Sequence, residues 1–286
     1  MEHAKGQEPN TVKTIFPDEA KAFVDGHEEG TYTLLDVRQP FEYEEAHLPG
    51  ARLIPLPKLA DALEELNRHQ PIVVYCAAGG RSAMAARLLS HHGFEDVSHI
   101  QGGIYAWEDP TASGPVAFHL KFVRGNEPPQ EVIRIAYQME DGLGRFHQEI
   151  HAKTIDTDLR DLLTQLIKAE EKHKRTLLDL LKTVVETDQK DRDFLAPPPI
   201  SDQDLMEGGL ELSEFMRQNE RYLETVAGYL ELAMMIETQA LDLYLRMASE
   251  SANPITKEVL FRISEEEKAH LAMLGQYLDR NQEGVS

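Results

Sequence analysis

Two sets of residues in this chain have the types and spacing that chemistry requires. The first is the run Cys76-Ala77-Ala78-Gly79-Gly80-Arg81-Ser82, which leaves the continuously apolar stretch PIVVYC and enters an amphipathic segment. A glycine-rich turn between a strand and a helix aims successive backbone N–H groups at the cysteine sulfur, and together with the helix dipole it favours thiolate over thiol. Cys76 is then a nucleophile, and a persulfide formed on it is an anion stabilised by the same donors. Arg81 either binds an oxyanion or braces the loop through a carboxylate, and the sequence leaves both roles open. A lone cysteine at a strand end is otherwise an inert small hydrophobe; the Gly-Gly-Arg-Ser continuation is what argues for a reactive thiol.

The second set repeats itself. Displacing the helical half by 97 positions lays Glu140 on Glu237, Glu170 on Glu267 and His173 on His270 without a gap, together with Ala136 on Ala233, Leu163 on Leu260, Leu177 on Leu274 and Leu181 on Leu278. Each copy has a Glu on one helix and a Glu-x-x-His thirty residues later. Positions i and i+3 share a helix face, and the leucines one and two turns beyond each His keep that face inward. Four carboxylates in a bundle core repel and cannot all stay ionised unaided. Two divalent cations balance them and take the two neutral imidazoles as further ligands. Oxygen and imidazole donors with open positions suit iron or manganese. A Glu from each of two helices, with Glu-x-x-His from each of the other two, is the pattern of di-iron carboxylate bundles. A single Glu-x-x-His is commonplace on a solvated helix, so the matched pair carries the reading.

Both sets sit within family resemblances. Leu35-Asp36-Val37-Arg38, Glu42-Tyr43, His47-Leu48-Pro49-Gly50-Ala51, Ile54-Pro55, the Cys76 loop, and Gly102-Gly103 followed by Trp107 resemble the rhodanese family across about residues 11–109. Ala46 departs from that pattern, since a Gly commonly precedes the His. The resemblance implies that Cys76 accepts sulfane sulfur from a small donor such as thiosulfate or a persulfide and passes it to a thiol. It makes Cys76 and Arg81 the catalytic residues and Ala77, Ala78, Gly79, Gly80, Arg81 and Ser82 the substrate-binding loop. Four residues separate Cys76 from Arg81, the sulfurtransferase length; the related phosphatases have a loop one residue longer, so sulfur is favoured over phosphate. Asp36 and Arg38 read as a fold-stabilising pair at an exposed strand end, and Trp107 as core.

Residues from about 130 to 281 are similar to the rubrerythrin branch of the ferritin-like superfamily. That resemblance implies two iron ions (manganese being the alternative) held by Glu140, Glu170, His173, Glu237, Glu267 and His270. The departures are informative. Where rubrerythrins carry a second Glu on the third helix, this chain has Ala240. Where they place a tyrosine seven residues after the first Glu, it has His147, although the repeat mate Tyr244 is retained. The rubredoxin cysteines are missing, so the electron donor would be external. Gly142 and Gly144 read as permitting close helix packing. Domains of this family often pair, which implies a homodimer.

The elements that must position these residues follow from periodicity. Residues 1–109 alternate strands (Val12–Phe16, Tyr32–Val37, Ala51–Ile54, Ile72–Tyr75, Val97–Ile100) with helices (Pro17–Val24, Phe41–Ala46, Lys58–Asn67, Ser82–His91, Gly103–Trp107), the pattern of a parallel α/β sheet covered on both faces. After Pro129 no strand is expected. Helices are expected at about 130–152, 157–186, 212–250 and 255–280, with a long crossover at Asp188–Asp202. The expected architecture is therefore multidomain, α/β followed by all-α: a rhodanese-like parallel sheet over residues 1–112, a linker over 113–128 in which VAFHLKFV is a short strand or ordered linker, and a ferritin-like four-helix bundle over 129–286.

Composition narrows the function further. With 286 residues, 41% hydrophobic and 28% charged, the chain is globular rather than disordered. A net charge of −21 opposes binding to nucleic acid or to an anionic membrane. No apolar run reaches the roughly 20 residues of a membrane span, and the first residues lack the features of a signal peptide. The single cysteine excludes an internal disulfide, and a reducing cytoplasm is the expected location. It also means that a persulfide on Cys76 needs an external thiol acceptor. The leading expectation is a sulfurtransferase coupled to a redox-active, oxidase- or peroxidase-like di-iron site. The alternatives are a persulfide or oxidant sensor and an iron-handling protein, both with little turnover.

Overall fold

Five short strands form a parallel sheet in the first part of the chain: β1 (Lys13–Ile15), β2 (Thr33–Asp36), β3 (Arg52–Leu53), β4 (Ile72–Tyr75) and β5 (Val97–Ile100), in the order β1-β5-β4-β2-β3. This computed structural model describes residues 11–114, 128–187, 205–206 and 210–283, and the chain divides into two compact units, Met1–Val116 and Ala117–Ser286. Strand β4 lies at the centre of the sheet, and all four of its residues are buried. Side chains alternate across it with period two. Ile72, Val74 and then Cys76 pack with Leu59, Leu63, Ala85, Ala86, Leu89 and Phe94. Val73 and Tyr75 pack on the other face with Ala20, Tyr43, Leu48 and Ile100. These contacts come from helices α1 (Pro17–Asp25), α2 (Pro40–Glu45) and α3 (Gly80–His91), and from 3-10 turns at Leu56–Glu65 and Gly103–Ala106.

Three details differ from expectation in this unit. Leu56–Glu65 is a run of 3-10 turns rather than an α-helix: Pro55 and Pro57 supply no N–H to its first turn, and the Lys58 N–H closes on the Pro55 carbonyl at 2.7 Å. The Gly103–Ala106 segment is likewise 3-10. The Asp36–Arg38 pair is not exposed but buried, at 0% and 4%. Arg38 donates from Nε and Nη2 to both Asp36 oxygens at 2.7–3.0 Å and from Nη2 to the Ala46 carbonyl at 2.5 Å. It thereby ties the end of β2 to the end of α2. His47 and Ala112 exchange backbone hydrogen bonds at 2.8 Å, fastening residue 112 to this unit. Trp107 is half-buried against the outer cluster.

The second unit contains α4 (Pro129–Lys153), α5 (Thr157–Thr187), α6 (Leu212–Gln218), α7 (Val226–Glu250) and α8 (Pro254–Glu283). Helix α4 packs on α5 and α7 on α8, each pair joined by three residues. The connections end in side-chain caps: Asp156 accepts the Leu159 N–H at 2.8 Å, and Asn253 accepts the Ile255 N–H at 2.9 Å. The helix expected over 212–250 is divided. Thr225 caps α7 by accepting the Gly228 N–H at 3.1 Å, and a short 3-10 turn, Tyr222–Glu224, fills the break. Gly228 allows this, because a Cβ there would lie 2.1 Å from the Tyr222 carbonyl oxygen. A second correction is a small antiparallel ladder, β6 (Leu205–Met206) with β7 (Leu210–Glu211), where no strand was expected. The VAFHLKFV segment (116–123) and the Asp188–Asp202 crossover lie outside the described residues. Among the described residues, no helix is long and apolar enough to cross a membrane.

The bundle core falls into two apolar clusters. One gathers residues 132–139 of α4, 177–181 of α5, 240–248 of α7 and 259–263 of α8. The other gathers residues 143–150, 159–166 and 229–236 of the same helices, with Leu274. On each helix a short stretch lies between the clusters, and those stretches hold the candidate ligands. Ala at Gly228 would force backbone apart, so Gly228→Ala is expected to destabilise the helical unit by about 1–3 kcal/mol, against about 1 kcal/mol for loss of the cap in Thr225→Ala. Urea unfolding followed at 222 nm tests this; a Gly228→Ala chain as stable as wild type would refute it.

Candidate functional site

The Cys76 sulfur emerges from β4 beside the start of α3. Its backbone setting comes from Gly103, where φ is +59° and a Cβ would lie 2.1 Å from the Cys76 carbonyl oxygen. This close approach lets the Ile104 N–H reach the Cys76 carbonyl at 2.8 Å and the Tyr105 N–H reach the Ala77 carbonyl at 3.1 Å. In a planar trans peptide the N–H points opposite the carbonyl, so pinning both carbonyls on one side turns the following N–H groups to the other. Gly79 (φ +95°) then bends the chain into α3, and its N–H donates to the Cys76 sulfur at 3.1 Å. The Ser82 hydroxyl lies 3.6 Å from the sulfur and donates to the Gly79 carbonyl at 2.9 Å.

Burial by itself pushes the Cys76 thiol up; hydrogen bonds from Ser82 (side chain and backbone), Ala78 and Gly79 outweigh it, and the net shift is below the ordinary 9.0. Four of the six expected loop residues therefore have a definite place: Ala77 offers its carbonyl to the fold, and Ala78, Gly79 and Ser82 face the sulfur. Gly80 is the first residue of α3. Arg81 takes the bracing geometry, with both terminal nitrogens donating to the two Glu42 oxygens at 2.7 and 2.6 Å. That hydrogen-bonded pair holds the Glu42 carboxyl at about 2, below its ordinary 4.5.

In the helical unit all six expected ligands converge on the layer between the two apolar clusters. Glu140, Glu170, His173, Glu237, Glu267 and His270 are each at most 6% exposed. His173 Nδ1 lies 3.6 Å from Glu140 and 3.7 Å from Glu170; His270 Nδ1 lies 3.3 Å from Glu237, 3.8 Å from Glu267 and 3.8 Å from Glu170. Glu170 thus stands between the two imidazoles, one oxygen toward each, and the rings stack at 4.5 Å. Gly144 faces Glu170, where a Cβ would just touch its side chain at 3.6 Å.

Donor atoms that could share an ion lie within 4.8 Å of one another in three groups: Glu170, His173 and His270; Glu237, Glu267 and His270; and His147, Glu170 and Glu237. Glu140 belongs to none of these groups, although it borders His173. Among the described residues neither oxygen of Glu140 receives a hydrogen bond, and Nδ1 of His173 and Nε2 of His270 have no hydrogen-bond partner. Buried acceptors and imidazoles left in this state are what a pair of divalent cations would satisfy, so the residues fit the metal centre. Burial pushes the Glu237 carboxyl up, but the His270 imidazole beside it outweighs burial and the net shift is down. Burial also lowers His270, and Glu237 more than restores it, so the net shift there is upward.

Sequence reasoning did not assign three residues of this layer. His147 is fully buried, with Nε2 3.6 Å from Glu170, and burial lowers it to about 4. Tyr229 contacts its other ring nitrogen at 2.9 Å. Glu266 approaches His173 Nε2 at 3.8 Å from the outer side. Only His147 left a signal, its place two turns after Glu140.

Comparison with known proteins bears on both units. A family model described as Rhodanese-like domain matches residues 18–110, and one described as Rubrerythrin matches residues 107–181. The chain is 40% identical over 96 residues to the probable adenylyltransferase/sulfurtransferase MoeZ of Mycobacterium tuberculosis, covering 33% of this chain and 24% of that protein. It is 36% identical over 110 residues to the putative sulfur carrier protein YrkF of Bacillus subtilis, covering 38% and 58%. It is 37% identical over 75 residues to the thiosulfate sulfurtransferase GlpE of Pseudoalteromonas translucida, covering 26% and 71%. The chain thus spans about a quarter of the mycobacterial relative and less than two thirds of YrkF. The second family match includes Glu140, Glu170 and His173 and stops before α7.

Two measurements follow from the loop geometry. With one cysteine in the chain, iodoacetamide reports on Cys76 alone; its rate should rise with pH through a midpoint below 9.0, and Ser82→Ala should move that midpoint up. An unmoved midpoint would remove the hydroxyl from the argument. The Glu42–Arg81 pair has a lowered carboxyl, so its stabilisation is present above about pH 4.5 and is lost as pH falls toward 2. Unfolding midpoints of wild type and Glu42→Gln should therefore differ at pH 7 and converge near pH 2.

Proposed function

Because the chain belongs to the rhodanese-like family and joins that fold to a rubrerythrin domain, we propose that it is a sulfurtransferase carrying sulfane sulfur on Cys76, coupled to a di-iron carboxylate centre with redox activity. The observation that supports the first part is the Cys76 cradle, in which a nearly buried sulfur meets backbone N–H groups and the Ser82 hydroxyl. Cys76 thiolate attacks the outer sulfur of a donor such as thiosulfate. The S–S bond of the donor breaks, sulfite leaves with the electron pair, and Cys76 holds a persulfide anion. The donors that stabilise the thiolate face this anion as well. A thiol acceptor then takes the terminal sulfur and returns Cys76 to its starting state. Since this chain has no second cysteine, the acceptor is a small thiol or another protein. Arg81 braces the rim of the loop through Glu42, and from there its positive charge acts on the Cys76 sulfur.

In the helical unit Glu140, Glu170, His173, Glu237, Glu267 and His270 would hold two iron ions, or manganese. Bound there, the ions supply one-electron redox chemistry toward a small oxidant, with electrons from an external donor. The two apolar clusters keep bulk water from the layer, and Glu170 holds a carboxylate oxygen toward each imidazole. A cytoplasmic homodimer free of nucleic acid and membrane fits the composition and the resemblances.

The test separates the two parts. Thiosulfate-to-cyanide sulfur transfer should vanish in Cys76→Ala and survive in Glu170→Ala/Glu267→Ala, whereas bound iron should fall from about two atoms per chain to none in the double variant only. Sulfur transfer retained by Cys76→Ala would reject the sulfurtransferase assignment.

A further inference from the structure

The His147 imidazole occupies a position that the six-ligand set does not explain. It is fully buried, and its Nε2 has no hydrogen-bond partner among the described residues. That nitrogen points into the carboxylate layer, 3.6 Å from a Glu170 oxygen, and its donor atom lies with those of Glu170 and Glu237 inside one 4.8 Å group. Nitrogen and oxygen donors about 2.0–2.2 Å from a shared ion stand roughly 3–3.6 Å apart. The opposite ring nitrogen, Nδ1, is 2.9 Å from the Tyr229 hydroxyl. A hydroxyl can accept from Nδ1–H, which leaves the Nε2 lone pair directed at the carboxylates. A ring fixed from behind in this way is how a protein sets the tautomer of a metal-binding histidine. Phe146 stacks on Tyr229 at 5.8 Å and is itself met edge-on by Phe215 at 5.9 Å, so the His147–Tyr229 pair is backed by aromatic rings.

We propose that His147 is a seventh protein ligand of the metal centre, binding through Nε2 the ion that Glu170 and Glu237 share, with Tyr229 as its positioning residue. The inference rests on the reading of the bundle as a dinuclear metal site and adds to it an asymmetry. The 97-residue repeat places Tyr244 opposite His147, so only one half of the centre gains a third imidazole. The two ions are therefore held by different donor sets and differ in affinity. The added ligand is neutral, so it raises nitrogen donation without changing the charge balance of the four carboxylates, and it removes one open position from the ion it binds.

Cobalt(II) is a suitable probe, since its visible bands report its ligands. Metal-free full-length chain titrated with cobalt(II) should take up two ions in two resolvable steps. His147→Gln should weaken one step at least 10-fold, leave the other, and change the bands of the weakened site. His147→Tyr, which restores the residue type of the repeat mate, should behave as His147→Gln does. Tyr229→Phe should weaken the same step less and leave the ligand count unchanged. Far-UV circular dichroism of each metal-free variant checks that it folds. X-ray absorption of the cobalt-loaded wild type gives an answer that needs no variant: three imidazoles per two cobalt ions supports the assignment, and two overturns it. Two bound ions with an affinity untouched in a folded His147→Gln would reject the seventh ligand while leaving the metal centre intact. A wild-type chain that takes up no cobalt would reject both.

Discussion

Four carboxylates buried in one layer of a helical bundle set the terms for everything around them. Charges removed from water repel strongly and lose their hydration, and neither cost is recovered by packing. The surrounding helices answer with imidazoles placed between the acids, so that each His Nδ1 has carboxylate oxygens on more than one side. The two apolar clusters lie above and below this layer rather than within it. Burying their leucines and aromatics provides the stability that an acidic layer lacks, at about 25 cal/mol per Å² of apolar surface. The polar layer thus specifies what binds, and the clusters hold it in place.

The first unit stabilises an anion by a different route. No cation contacts the Cys76 sulfur among the described residues; oriented peptide groups and one hydroxyl face it instead. Arg81, the nearest guanidinium in the loop, is engaged by Glu42. Peptide dipoles would suit the proposed alternation of this sulfur between thiolate and persulfide, because they stabilise negative charge without pairing permanently with it. A metal centre, by contrast, needs ligands that stay charged and stay put.

Much of this was legible in the sequence because spacing encodes it. The alternation of strands with helices, the continuous apolar run of β4 and the 97-residue repeat all translate directly into faces and layers. What escaped was long-range or masked by compatible periodicity. The amphipathic pattern runs through residues 219–225 without a fault, so only the local fit of Gly228 under the Tyr222 carbonyl reveals the break. Glu42 and Arg81 are 39 positions apart, and His147 and Tyr229 are 82 apart; nothing local links either pair. Asp36 and Arg38 looked like surface charges because burial depends on what packs over them, here the end of α2.

The close approach of Gly103 to Cys76 bears on how the chain acquires its reactivity. The carbonyls that orient the loop are held by residues 104 and 105, nearly thirty positions beyond the cysteine. During synthesis, or in any partly folded state, that contact is missing and Cys76 is an ordinary thiol. The hydrogen bonds that hold the Cys76 thiol below its ordinary range therefore come into place only when the sheet has closed through β5. The electrostatic setting of the sulfur is thus completed by a stretch of chain that is made well after the cysteine itself.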